Sequence, residues 1–95
     1  MVHATERTVA FRDLNPQAPT HVLVVPRDHF ANAAELAAGD PAASAELVAT
    51  AAAVATAEGH DDYRLVFNTG ASAGQSVFHT HLHLLAGRSM TWPPG

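Results

Sequence analysis

Asp40-Pro41-Ala42-Ala43-Ser44-Ala45-Glu46-Leu47-Val48-Ala49-Thr50-Ala51-Ala52-Ala53-Val54-Ala55-Thr56-Ala57-Glu58-Gly59 is the stretch on which the fold turns. It carries matching signals at both ends. Asp40 can cap a helix, Pro41 suits the first helical position because the N–H it lacks has no partner there anyway, and Gly59 suits the stop. A helix over 41–58 is therefore expected. Leu47, Val48, Ala51, Val54 and Ala55 fall at i, i+1, i+4, i+7 and i+8, a stripe suited to lie on a sheet, and the small alanines permit close approach.

Working outward, the segments on either side read as strands. Thr8 to Arg12 alternates, with Val9 and Phe11 on one face and Thr8, Ala10 and Arg12 on the other, so Arg7–Arg12 is expected to be extended. Asp13 to Pro19 holds two prolines and cannot continue a central strand. Thr20–Val25 is rich in β-branched residues and ends at Pro26, giving a second strand antiparallel to the first. Residues 32–38 can form a short helical turn ended by Gly39. Beyond the long helix, Tyr63–Asn68 reads as a third strand, Thr69–Ser76 as a Gly-rich loop and Val77–Leu85 as a fourth strand. The order predicts an α+β fold: an antiparallel sheet of about four strands with one long helix and a short helical turn on one face. Neither an internal repeat nor a linker interrupts it, so residues 1–95 are expected to form one domain.

Composition narrows the function classes. With 5 basic against 9 acidic residues the formal charge is −4, whereas a binder of phosphate backbones needs a basic face. Nucleic acid is not an expected ligand. The chain has no cysteine, which excludes disulfides, thiolate nucleophiles and cysteine-ligated zinc. The alanine-rich region is interrupted by Ser44, Glu46, Thr50 and Thr56 and is too weakly apolar for a membrane span. The first seven residues lack a secretory pattern, so a cytoplasmic location is expected. A domain of 95 residues buries only about 60 to 65 per cent of its unfolded surface, so a partner subunit would help it.

The segment that carries chemistry is His79-Thr80-His81-Leu82-His83-Leu84-Leu85, with three histidines at period two. On a strand all three imidazoles would point one way and Thr80, Leu82 and Leu84 the other. Histidine titrates near 6.5 or so, and near neutral pH one ring can attack while a neighbour donates a proton to an anion. Attack on phosphorus by an imidazole nitrogen divides one displacement into two easier ones, and the remaining donors can neutralise the nonbridging oxygens. Upstream, Gly70-Ala71-Ser72-Ala73-Gly74-Gln75-Ser76 offers backbone N–H groups that a glycine-containing turn can aim at a phosphate. It lacks the Gly-Lys-Ser/Thr ending of a P-loop, and by itself it reads equally well as a flexible connection. A zinc site on the His-x-His strand is the competing reading; no carboxylate stands close by in sequence. Of the other histidines, His3 and His60 read as solvated, His21 as structural, and His29 as able to reach the triad.

The pattern His-φ-His-φ-His-φ-φ, with φ apolar, resembles the signature of the histidine triad family, with Thr80 at the first φ. Ala10 to His21, Val25 to His29, Gly74 to His79 and Gly87 to Gly95 are similar to segments of its Hint branch, so the resemblance covers nearly the whole chain. It implies that His81 is the nucleophile, that His79, His83 and His29 support it, and that Ser76 assists the leaving amine. It further implies that Asn68, Gly74, Gln75 and the N–H of Ser76 frame the phosphate, that Asp13 and Leu14 hold the ribose, and that Trp92 reaches toward a partner's site. The implied activity is hydrolysis of purine nucleoside phosphoramidates or acyl-nucleotides through a nucleotidyl-histidine, by a homodimer, with no cofactor. Relatives usually begin with a further helix and strand, often bearing a Cys-x-x-C zinc element. Against them the chain is expected to be N-terminally short, without the family's structural zinc and without the front helix that helps form the purine pocket. Two alternatives stand beside this reading: a non-catalytic nucleotide-binding or interaction module, and a dinucleoside polyphosphate hydrolase.

Overall fold

A computed structural model describes all 95 residues. Five strands form one antiparallel sheet: β1 (His3–Ala4), β2 (Thr8–Arg12), β3 (Thr20–Pro26), β4 (Arg64–Val66) and β5 (Leu82–Ala86), in the order β1-β2-β3-β5-β4. Between β3 and β4 run α1 (Ala33–Gly39) and α2 (Pro41–Ala57), and a 3₁₀ turn covers Ala71–Ala73. The α+β fold expected from the sequence is the one observed, with an additional edge strand.

The two helices share a hinge residue. The backbone N–H of Asp40 closes α1 on the carbonyl of Leu36 at 2.8 Å, while its carboxylate accepts the N–H of Ala43 at 3.1 Å and opens α2. One acidic residue thus satisfies orphan groups at two helix ends. Asn32 does the same for α1 by accepting from the N–H of Glu35. At the far end Gly59, at φ +82°, supplies the left-handed residue after α2.

The stripe that α2 buries is Ala43, Leu47, Thr50, Ala51, Val54 and Ala55. Val48, expected on that face, is 45 % exposed. Thr50 takes the inward place because its hydroxyl meets that of Thr8 at 3.0 Å, a buried polar pair between helix and sheet. Against this stripe the sheet turns Ala10, Val22, Val24, Leu82 and Leu84, all at most 1 % exposed. Each buried Leu or Val stabilises by about 1.5 to 3 kcal/mol. The register places Val22 opposite Leu84 and Leu23 opposite His83, so Leu23 and His83 lie on the other face, turned away from the helices.

β1 was not foreseen, because two residues show no periodicity. Its anchor is Glu46 of α2, whose carboxylate accepts the hydroxyl of Thr5 at 2.6 Å and the backbone N–H of Arg7 at 2.9 Å. The Thr5 hydroxyl, followed by the Arg7 bonds, holds the Glu46 carboxyl below the ordinary carboxylate range against an opposing desolvation. β5 is shorter than the expected strand over 77–85: its pairing with β3 starts at Leu82 opposite Val24. Before that, the N–H of Thr80 bonds to the carbonyl of Phe30 at 2.7 Å instead of to the sheet. Pro26, at the end of β3, has no N–H to offer a neighbouring strand, and its carbonyl faces the ring of His79. No helix is long and apolar enough to cross a membrane.

Candidate active site

The three histidines of the motif do not stand as a row on one strand. Only His83 lies in β5; His79, at the end of a bend, and His81 precede the strand. The inward alternation nevertheless holds, with Thr80, Leu82 and Leu84 buried and the histidines half-buried. Thr80, which interrupts the apolar pattern, is accommodated because its hydroxyl donates to the carbonyl of Phe30 at 2.8 Å.

The imidazoles form two pairs with His81 beside one of them. His79 pairs with His29 through their Nδ1 atoms at 2.9 Å, ring centroids 5.0 Å apart. His83 pairs with His21, Nδ1 to Nε2 at 2.9 Å. His81 stands edge-on to His83 at a centroid distance of 5.0 Å. His29 is exposed at the end of the loop after β3, whereas His21, on β3, is only 6 % exposed. The sequence reading took His21 as structural and missed this contact. The signal was available in principle: His21 and His83 share the outer face because Leu23 pairs with His83, two residues from His21.

Backbone partners fix the proton positions of the neutral rings. His81 Nδ1 lies 2.8 Å from the carbonyl of His79, so it carries the hydrogen and Nε2 keeps its lone pair, with no partner in the chain. His21 Nδ1 accepts the N–H of Gln17 at 3.0 Å. Its Nε2–H must then donate to His83 Nδ1, which leaves His83 with an N–H at Nε2. His79 Nε2 donates to the carbonyl of Pro26 at 3.0 Å, so its Nδ1 accepts from His29. The result is one free imidazole lone pair on His81 beside an N–H donor on His83. Burial first, then repulsion by His81 and His21, push the His83 pKa down, with Asp13 opposing. His83 is therefore neutral at neutral pH.

Asp13 closes the far side of this cluster. One carboxylate oxygen accepts the N–H of Asn15 at 2.8 Å, and the other lies 3.5 Å from His21 Nε2. Asp13, His21 and His83 each offer a donor atom, all within 4.8 Å of one another. This is a different set from the His-x-His zinc reading, and a cation there would have to break the His21–His83 bond.

The loop after β4 differs from expectation in how its groups are used. The N–H of Gly74, at φ +98°, bonds to Ala71, and that of Gln75 bonds to the carbonyl of Gly70 at 3.1 Å. The Gln75 side chain is 4 % exposed and its amide is wholly engaged by backbone groups, so both residues are occupied within the turn rather than toward a phosphate. Ser76 is exposed, and its N–H is the first after the turn with no acceptor in the chain. Asn68 lies beside Gly74, its amide carbon 3.9 Å from where a Cβ would stand. Leu14 and Trp92 are 101 % and 84 % exposed. His60 is not a solvated bystander: its Nε2 meets the hydroxyl of Thr20 at 2.8 Å, and that hydroxyl donates to Glu58. The groove beside it, lined by Asp61, Tyr63 and Arg88 among others, contains none of the clustered histidines.

Fold and site together define a small α+β domain that carries a histidine cluster on the solvent face of its sheet, with a free imidazole nitrogen at the centre. Residues 1–90 match the family described as the HIT domain. The chain is 47% identical over 96 residues to an uncharacterized HIT-like protein of Synechococcus elongatus, covering 100% of this chain and 84% of that protein. It is 46% identical over 98 residues to a 14 kDa zinc-binding protein of Zea mays, covering 100% and 77%. Among solved structures it resembles a HIT family hydrolase from Legionella pneumophila, with a TM-score of 0.93 and 47% identity over 99% of this chain and 86% of that one. A HIT family hydrolase from Clostridium thermocellum gives 0.88 and 41% over 94% and 79%. The chain belongs to the HIT domain family.

Proposed function

We propose that this protein is a nucleotide hydrolase of the Hint type, cleaving the P–N or acyl-phosphate bond of purine nucleoside phosphoramidates through a nucleotidyl-histidine. One observation carries the reading: the carbonyl of His79 holds His81 in the tautomer whose Nε2 is an unprotonated nucleophile. That nitrogen attacks phosphorus, the new N–P bond forms as the P–N bond breaks, and the amine departs with a proton from solvent water that the Ser76 hydroxyl relays, giving up its own and regaining one. The imidazolium formed on His81 keeps its Nδ1–H on the His79 carbonyl, which stabilises the charge as it develops. His83 donates its Nε2–H to a nonbridging oxygen, and the N–H of Ser76 offers a second donor. Water then attacks the nucleotidyl-His81, releases the nucleoside monophosphate and restores the ring.

The half-exposed carboxylate of Asp13 and the exposed Leu14 and Phe11 suit a ribose and base laid across the outer face. The active form in this reading is a homodimer, supported by the outer edge of β4, which has no neighbour in the sheet, and by the exposure of Val48 and Trp92. An uncovered edge strand is a template for pairing.

The test is release of amine from adenosine 5′-phosphoramidate by the purified protein and by His81→Ala, with mass spectrometry of the protein during turnover. Turnover lost in His81→Ala and a trapped nucleotidyl adduct on the wild type support the mechanism. Nucleotide binding without hydrolysis would instead make the protein a binding module.

A further inference from the structure

We propose that Gln75 is a positioning residue of this site, whose carboxamide holds the turn that presents Ser76 to the leaving group; the proposal rests on the hydrolase reading above. The amide bonds to three separate backbone segments. Oε1 accepts the N–H of Gly70 at 2.9 Å, and Nε2 donates to the carbonyl of Ala31 at 2.6 Å and to that of Val77 at 3.1 Å. Its own backbone N–H returns to the carbonyl of Gly70 at 3.1 Å, so side chain and main chain together close the turn over Gly70–Gln75. Ser76 is thereby bracketed: the residue before it is tied to Gly70, and the carbonyl of the residue after it is tied to the Gln75 amide.

The hold also reaches the other wall of the site. Ala31 follows Phe30, whose carbonyl takes both the N–H and the hydroxyl of Thr80. Gln75 and Thr80 therefore clip the 29–31 segment to the 75–80 segment at two points. Ser76, His79 and His29 lie on the two segments so joined. A side chain that is 4 % exposed and has both amide hydrogens spent on carbonyls has none left for a phosphate, so its effect on the reaction is transmitted through what it holds. The chemistry is specific to a carboxamide. Glutamate would set a carboxylate against two carbonyl oxygens, and leucine would leave three backbone groups without partners.

The experiment is a double-mutant cycle on the full chain with Gln75→Leu, Ser76→Ala and both together, reading kcat on adenosine 5′-phosphoramidate beside thermal melting. Gln75→Leu is expected to lower kcat at least about tenfold, and to add less than about twofold in the Ser76→Ala background, because two residues that act as a unit are not additive. Thr50→Val, which removes a buried hydroxyl pair on the helix side of the sheet, serves as a destabilised control with kcat unchanged. A folded Gln75→Leu with wild-type kcat, or a loss that multiplies fully with that of Ser76→Ala, overturns the proposal. If the wild type releases no amine, the hydrolase reading fails instead. Amide exchange still judges the hold: in Gln75→Leu the Gly70 and Gln75 amides should exchange at least about tenfold faster while those of α2 stay protected, and unchanged exchange rejects it.

Discussion

Replacing His21 with leucine should lower turnover about two- to twelvefold without unfolding the protein. His21 is 6 % exposed and makes two ring bonds: it accepts the N–H of Gln17 and donates to His83 Nδ1 at 2.9 Å. The Gln17 backbone lies in an exposed loop where water can take over, so the loss that matters is at His83. One hydrogen bond contributes about 0.5 to 1.5 kcal/mol net, and its disappearance from the transition state converts to that two- to twelvefold loss at roughly 1.4 kcal/mol per decade. In the proposed mechanism, removing His83 itself would take away a donor to the developing anion and should cost about 10²- to 10³-fold. The order His83→Ala far below His21→Leu, and His21→Leu below wild type, is thus the expectation from steady-state kcat.

The same variant has a pH signature. His83 must be neutral to accept from His21, and its pKa is lowered by burial first and by repulsion from His81 and His21 next. Removing His21 takes away one repulsion while burial remains. The acid limb of kcat should therefore move up in pH yet stay below about 6.5. Stability follows the same sign: because the folded pKa is depressed, the unfolded chain binds the proton first. The His83 contribution is whole above about 6.5 and is lost as pH falls toward the folded value. Turnover in His21→Leu that falls more than 100-fold would mean that His21 touches substrate. Unchanged kcat with an unmoved acid limb would refute the tautomer relay altogether.

Leu47→Ala opens a cavity in the middle of the helix–sheet core, where Leu47 is 0% exposed, and should cost about 2 to 5 kcal/mol in urea unfolding. A cost under about 1 kcal/mol would show that α2 does not pack as described. Glu46→Gln should release β1, raising amide exchange at residues 2–5 while kcat stays within about twofold, since Glu46 bonds only to Thr5 and Arg7 at the sheet edge. In the wild type the depressed Glu46 pKa makes this anchorage complete above the ordinary carboxylate value and lost as pH falls through the lowered one, so acid exchange profiles of β1 should differ between the two proteins.

The residues by themselves determined the long helix, because Asp40, Pro41 and Gly59 act through bonds and dihedrals of their immediate neighbours. They also determined the α+β order and the inward alternation of Thr80, Leu82 and Leu84, which are consequences of local periodicity. The special character of the His79–His83 segment was legible for the same reason. The periodicity of α2 put Val48 on the sheet-facing stripe, and the fold turns Thr50 inward instead because its hydroxyl meets that of Thr8 on a distant strand. The partners of the histidines were likewise beyond local reading. The sheet order β1-β2-β3-β5-β4 brings β3 beside β5 across some sixty residues of chain, and this alone places His21 against His83, while the loop after β3 carries His29 to His79. Gln75, which the resemblance placed at the phosphate, spends its amide hydrogens on the carbonyls of Ala31 and Val77. Proton positions, and with them which nitrogen of His81 keeps its lone pair free, follow from which carbonyl or N–H faces each ring, and only the folded backbone sets that.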